Sequence, residues 1–202
     1  FKPMKKSTIF LLLFIALLQL NSCFGQKSNT DNEYSIKNIL IENNYDLNSF
    51  YIGATLNHGQ LNTPVEKLFL SEFTYSTPEN CSKQAIIHPR PGVWNWKKLE
   101  DYLKFANKND ITLRVHGPVS PQASKWAKND SRTKKELLTN MNEFFTALCI
   151  KVNEEPSVKW MDVVNETVSR NGTWFGEKPG DNKWENPWTL SLIHISEPTR
   201  QF

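Results

Sequence analysis

The chain has 202 residues, with 24 Lys and Arg against 21 Asp and Glu, 39% hydrophobic residues and only 3 Cys. That is enough length for one sizeable core and too few cysteines for a disulfide framework. Setting aside Lys2, Lys5, Lys6, Arg200 and Glu197, which fall in end segments, balances the two charge signs, so no electrostatic footprint for nucleic acid remains.

The N-terminal segment carries Met4-Lys5-Lys6, an apolar run from Ile9 to Leu18 and the exit Leu20-Asn21-Ser22-Cys23-Phe24-Gly25. A basic start, a short apolar stretch and small residues read as a secretory leader over residues 1–25, with Phe1-Lys2-Pro3 as translated upstream sequence. The run is shorter than the ~20 apolar residues of a membrane span. Leu20-Asn21-Ser22-Cys23 also resembles a lipobox, making Cys23 a candidate lipid anchor, and cleavage after Gly25 is the alternative. Both imply export, to a secreted, periplasmic or lipid-anchored state. At the other end, Leu190 to Arg200 resembles translated sequencing adapter, so residues 190–202 are expected to lie outside the natural sequence and His194 and Glu197 outside any site. Cys81 and Cys149 are expected as buried free thiols.

Residues 26–48 are polar and Asn-rich and read as a loose tether. From residue 49 to 189, short β-like runs alternate with helical patterns, the signature of βα units around a parallel sheet. The runs expected as strands are Phe50 to Thr55 and, less sharply, Phe69 to Tyr75. Leu99, Tyr102, Leu103 and Ala106 then fall on one helical face, which Asn109-Asp110 ends. Ile111, Leu113 and Val115 alternate with Thr112, Arg114 and His116, a strand period. Thr133-Lys134-Lys135-Glu136 fits a capping box opening a helix with the stripe Leu137, Leu138, Met141, Phe144, Phe145 and Leu148. Val158 to Val164 reads as a last strand. Four βα units are thus expected, about half of an α/β, (β/α)8 TIM barrel of ~250 residues. A doubly wound sheet is the other arrangement for this length, but no Gly-rich phosphate loop follows the first strand.

Barrel active sites form at the C-terminal ends of strands. Polar residues stand there at Thr77-Pro78-Glu79-Asn80, at Arg114-Val115-His116 and at Asn165-Glu166. A Glu following the β-rich Val163-Val164 stands where its carboxyl could be partly desolvated. Each residue also has an ordinary structural reading. Glu166 could serve as a helix-start charge, Asn80 as a cap, Lys83 as a surface lysine and His116 as a satisfied strand-end histidine.

Asp162-Val163-Val164-Asn165-Glu166, Thr77-Pro78-Glu79-Asn80 with Lys83, Arg114-x-His116, Phe50-Tyr51-Ile52-Gly53-Ala54 and Gly92-Val93-Trp94-Asn95-Trp96, in this order and spacing, resemble glycoside hydrolase family 10 from Phe50 to Trp188. Its best-known members are retaining endo-1,4-β-xylanases. The resemblance implies Glu166 as general acid/base. It also implies Asn165 on the sugar 2-hydroxyl, Glu79, Asn80 and Lys83 on hydroxyls before the cleaved bond, and His116 lining that subsite. The implied substrate is a β-1,4-linked, xylan-like polysaccharide, with no metal or organic cofactor and a monomeric enzyme. Aromatic platforms are expected in the Trp174–Trp188 loop, whereas Trp160 is better explained by packing.

The pattern departs from the family at Ser120 and Pro121, where Trp and His are usual, at Met161, with Trp160 displaced, and at Gln84, where Trp is usual. These put xylan specificity in doubt. The family's nucleophilic Glu sits on a later strand, so this stretch alone is expected to be inactive. A non-catalytic carbohydrate-binding barrel is the alternative; retention of Asn165 beside Glu166 favours the enzyme.

Overall fold

A computed structural model describes residues 34–129, 131–173, 175–176 and 185–189. The leader, Cys23, Trp174, Trp184 and residues 190–202 lie outside them. Every element below belongs to the unit Ile36–Phe202.

A short helix α1 (Ile36–Glu42) lies within the stretch expected as a tether. Strand β1 (Gly53–Ala54) is narrower than the expected run. Gly53 is required there, because a Cβ would sit 2.0 Å from the Tyr75 carbonyl oxygen. A 3-10 turn, His58–Gln60, leads to α2 (Pro64–Glu72). This helix corrects the reading of Phe69 as the start of a strand. Thr63 caps it, accepting from the Val65 N–H, and Pro64 opens its first turn, while Phe69 is buried from the helix. Strand β2 is only Tyr75–Ser76, followed by a one-turn α3 (Gln84–Ile87).

The periodic segments form as the pattern requires. Helix α4 (Lys97–Lys108) buries Leu99, Tyr102, Leu103, Phe105 and Ala106, and Asp110 follows it at φ 54°. Strand β3 (Thr112–Val115) buries Leu113 and Val115 toward the helices. Helix α5 (Lys134–Asn153) opens on the expected capping box. Thr133 Oγ1 accepts from the Glu136 N–H at 3.2 Å, and Glu136 Oε2 accepts from the Thr133 N–H at 2.8 Å. Strand β4 (Val158–Met161) follows. Of the two thiols, Cys81 is buried but Cys149 is exposed on α5, contrary to the expected pair of buried cysteines. No helix among the described residues is long and apolar enough to cross a membrane.

The four strands are parallel and lie in chain order β1-β2-β3-β4. One face packs against the helices around Leu113, Val115, Tyr102, Phe144 and Leu148. Ser76 Oγ joins this layer to the sheet, bonding the Tyr102 hydroxyl at 2.8 Å and the Ala54 carbonyl at 3.1 Å. Burial pushes the Tyr102 phenol up. The other face is concave. In a flat sheet β1 and β4 would lie three strand spacings, ~14 Å, apart. Yet Tyr51, just before β1, packs edge-on to Trp160 of β4 with ring centroids 5.1 Å apart, and Lys159 Nζ donates to the Tyr51 hydroxyl at 2.7 Å. Tyr75 completes the trio at 5.9 Å from Trp160. The sheet is therefore curled as a barrel wall, and the described elements are four βα units of an incomplete (β/α)8 barrel.

Candidate functional site

The loops after β2, β3 and β4 meet at the C-terminal end of the sheet, and hydrogen bonds lace them together. The β2 loop reaches the β3 loop through Ser82, whose Oγ donates to the His116 carbonyl at 2.6 Å and accepts from the His116 N–H at 3.2 Å. The Gln84 N–H bonds the Pro118 carbonyl at 3.1 Å. The β3 loop reaches the β4 loop by a parallel bridge between Val119 and Val164, with the Asn165 N–H on the Val119 carbonyl at 2.9 Å. Asn165 and Glu166 are thus delivered beside the β2 loop although more than 80 residues separate them in sequence.

Lys83 sits at the junction. It is 5% exposed, unlike a surface lysine. Its Nζ donates to Asn80 Oδ1 at 3.0 Å and Gln122 Oε1 at 2.7 Å. Burial lowers the pKa of its ammonium, and the nearby carboxylates of Glu166 and Glu79 oppose that fall. Glu79 also accepts a hydrogen bond from the Asn57 amide. Gly117, at φ 59°, lets the chains close: a Cβ there would lie 3.2 Å from Lys83 Cε and 3.5 Å from Asn165 Nδ2. Five of the six residues singled out from sequence, Glu79, Asn80, Lys83, Asn165 and Glu166, therefore share one cluster.

His116 engages a different partner. Its Nδ1 lies 3.1 Å from Asp162 Oδ2, and Arg114 donates to the other oxygen of Asp162, also at 3.1 Å. Asp162 thus fixes the strand-end histidine and the strand-interior arginine together. Glu166 itself has φ 53°, a conformation costly for a residue with a Cβ. Its side chain is exposed, not desolvated as the acid role led one to expect. β4 is an edge strand of the described sheet, so among the described residues no further strand flanks Glu166 on that side.

Gln122, Gly117 and Asn57 were not singled out from sequence. Gln122 and Asn57 carry no local signature, and only Gly117 offered one, as a glycine just past a strand. The Trp platform expectation is corrected at Trp188, which is 0% exposed and belongs to the core. Trp174 and Trp184 lie outside the described residues. Trp160, assigned to packing, does contact Tyr51 and Tyr75, though it remains 39% exposed on the concave face. Ser120, in place of the family's Trp, is buried and accepts from the Gln122 N–H at 3.2 Å, so this departure turns the loop that positions Gln122. No group of three or more His, Cys, Asp or Glu suited to a metal occurs among the described residues.

The family model for glycosyl hydrolase family 10 matches residues 41–189. Among curated proteins, the chain is 30% identical over 133 residues to endo-1,4-beta-xylanase A of Xylanibacter ruminicola, covering 62% of this chain and 36% of that one. It is 32% identical over 127 residues to a beta-1,4-xylanase of Dictyoglomus thermophilum, covering 62% and 35%. Among solved structures, xylanase 10B from Thermotoga petrophila in complex with xylobiose superposes with a TM-score of 0.62 at 27% identity, over 80% of this chain and 46% of that one. Native xylanase 10B from Thermotoga maritima gives 0.62 at 28%, over 80% and 47%. The chain spans little more than a third of the length of the curated relatives it matches. With a family model spanning most of the chain and a curled parallel sheet whose strand-end loops bring the motif residues together, this protein belongs to glycosyl hydrolase family 10.

Proposed function

We propose that the chain supplies the acid/base side and part of the sugar-binding side of a retaining glycoside hydrolase acting on a β-1,4-linked, xylan-like polysaccharide. The observation that carries this reading is the buried Lys83, held between Asn80 and Gln122 and facing the carboxylates of Glu79 and Glu166. A buried ammonium surrounded by amides and acids offers donors and acceptors in the density that a polyhydroxylated ring requires. In this reading Glu166 protonates the glycosidic oxygen and then deprotonates the attacking water. Asn165 holds the 2-hydroxyl, while Glu79, Asn80 and Lys83 hold hydroxyls of the preceding sugar. His116, oriented by Asp162, lines the same subsite.

Retaining hydrolysis needs a second carboxylate ~5–5.5 Å from the acid. Among the described residues, Glu79 is engaged with Asn57 and Asp162 with Arg114 and His116. The nucleophile is assigned to the further length that the relatives possess, and this stretch by itself is inactive. The leader reading accords with a polymer too large to enter a cell, so the protein acts after export.

Two measurements test the proposal. The 202-residue chain should not hydrolyse an aryl xylobioside, and turnover would overturn the assignment of the nucleophile. In the protein extended to the length of its relatives, Glu166→Ala should sharply slow substrates with poor leaving groups. Activated aryl glycosides should lose less in the first step, and unchanged kinetics on both would reject Glu166 as the acid.

A further inference from the structure

The loop after β1 reaches the Lys83 cluster through one side chain, Asn57. Leu56, just before it, is buried in the core. The 3-10 turn just after it is tied down at three points. Gln60 Oε1 accepts from the Asn57 N–H at 2.8 Å, and the Thr63 hydroxyl donates to the Gln60 carbonyl at 2.6 Å. His58 Nε2 lies 3.1 Å from Asp101 Oδ2 on α4. Asn57 is thus fixed from both sides, and its side-chain amide donates to Glu79 Oε2.

Glu79 is exposed on the β2 loop, and an exposed carboxylate on a rotatable side chain follows the strongest nearby charge. That charge is Lys83, whose ammonium Glu79 already favours through space. Yet among the described residues the two do not close into an ion pair. Lys83 Nζ is taken by Asn80 Oδ1 at 3.0 Å and Gln122 Oε1 at 2.7 Å, while Glu79 is held by Asn57. Were Glu79 to collapse onto Lys83, each would satisfy the other, and a sugar hydroxyl would have to break that pair to reach either one.

We propose that Asn57 is a positioning residue: it holds the Glu79 carboxylate on the β1 side, apart from the Lys83 ammonium, so that both stay open to a sugar hydroxyl. This inference rests on the sugar-binding reading of the Lys83 cluster and adds the β1 loop to it.

Two variants of the 202-residue chain test it, with xylotetraose binding followed by calorimetry at pH 7. Asn57→Ala frees Glu79 and should weaken binding about 3- to 10-fold, the cost of re-ordering one side chain on binding. Asn57→Asp separates positioning from a role in the turn. Asp starts such a turn as well as Asn does, so a purely structural role predicts no loss. Positioning predicts a loss at least as large as with Ala, because the donor becomes a second carboxylate that repels Glu79. In Asn57→Ala the Lys83 Cε resonance, followed by NMR on lysine-labelled chain, should also titrate at a higher pH than in the parent, since Glu79 draws closer to the ammonium. Parent-like affinity in Asn57→Asp, or an unmoved Lys83 titration in Asn57→Ala, overturns the positioning role while leaving the sugar cluster standing. Failure of the parent chain to bind xylotetraose overturns the sugar cluster itself.

Discussion

Replacing Lys83 with Met separates a binding role from a structural one. The substitution keeps the buried stem and removes the ammonium. Two hydrogen bonds are lost, to Asn80 Oδ1 and to Gln122 Oε1. Gln122 is exposed and recovers water, and Asn80 is half-buried, so the unsatisfied cost is modest. Against that loss stands relief from burying a charge. Burial holds the folded-state pKa of Lys83 below its ordinary value even with Glu166 and Glu79 nearby. A lowered lysine pKa means folding disfavours the ammonium, so below that pKa the charge costs stability rather than supplying it. The two terms oppose, and the net change in stability should stay within ~1 kcal/mol, or ~2–4 °C in melting temperature. A sugar hydroxyl bonded to a charged donor is another matter, being worth ~1.5–3 kcal/mol. Xylotetraose affinity measured by calorimetry should therefore fall roughly 10- to 150-fold. Unchanged affinity would remove Lys83 from the binding site. A melting temperature lowered by ~10 °C or more would mean that the ammonium holds the loops together and that the opposition of terms was misjudged.

Thr133→Ala should cost ~1 kcal/mol by deleting the cap of α5, read as a lower urea midpoint with an unchanged slope. Bonds from Thr133 hold the Glu136 carboxyl below its ordinary pKa, so this stabilisation is fully present above the unfolded glutamate pKa and is lost as pH falls through the folded value. Thr133→Ala keeps the backbone N–H bond to Glu136 and loses only the hydroxyl's, so the parent should lose slightly more stability on acidification than the variant, and a steeper loss in the variant would refute the coupling. Cys149 should react readily with a maleimide at pH 7. Cys81, whose thiol is pushed up to about 12 by burial, should react only on unfolding, as mass spectrometry of the labelled chain can check.

Periodicity made α4, α5 and β3 legible, because each sets one face against the core and repeats apolar residues at its own spacing. The capping box of α5 was equally plain. The second strand was harder to see. Two residues are too few for alternation, and the apolar Phe69 just before it belongs to α2, whose own start signal, Thr63-Pro64, stood in the sequence unread. The motif residues could be named from sequence because the C-terminal ends of parallel strands collect in one place, whatever the loops do.

What each side chain does there was decided by contacts between loops distant in sequence. Lys83 is buried where the β3 loop closes on it at Gly117. His116 is tied to Asp162 by the packing of β3 on β4, and Gln122 enters through a turn held by Ser120. Trp188 fills core space instead of offering a sugar platform. The sequence by itself determined which residues stand at the strand ends, because that depends on local period and motif spacing. The tertiary structure alone decided which of them are buried, charged against one another or open to water, because burial and Coulombic pairing arise from neighbours that chain order does not specify.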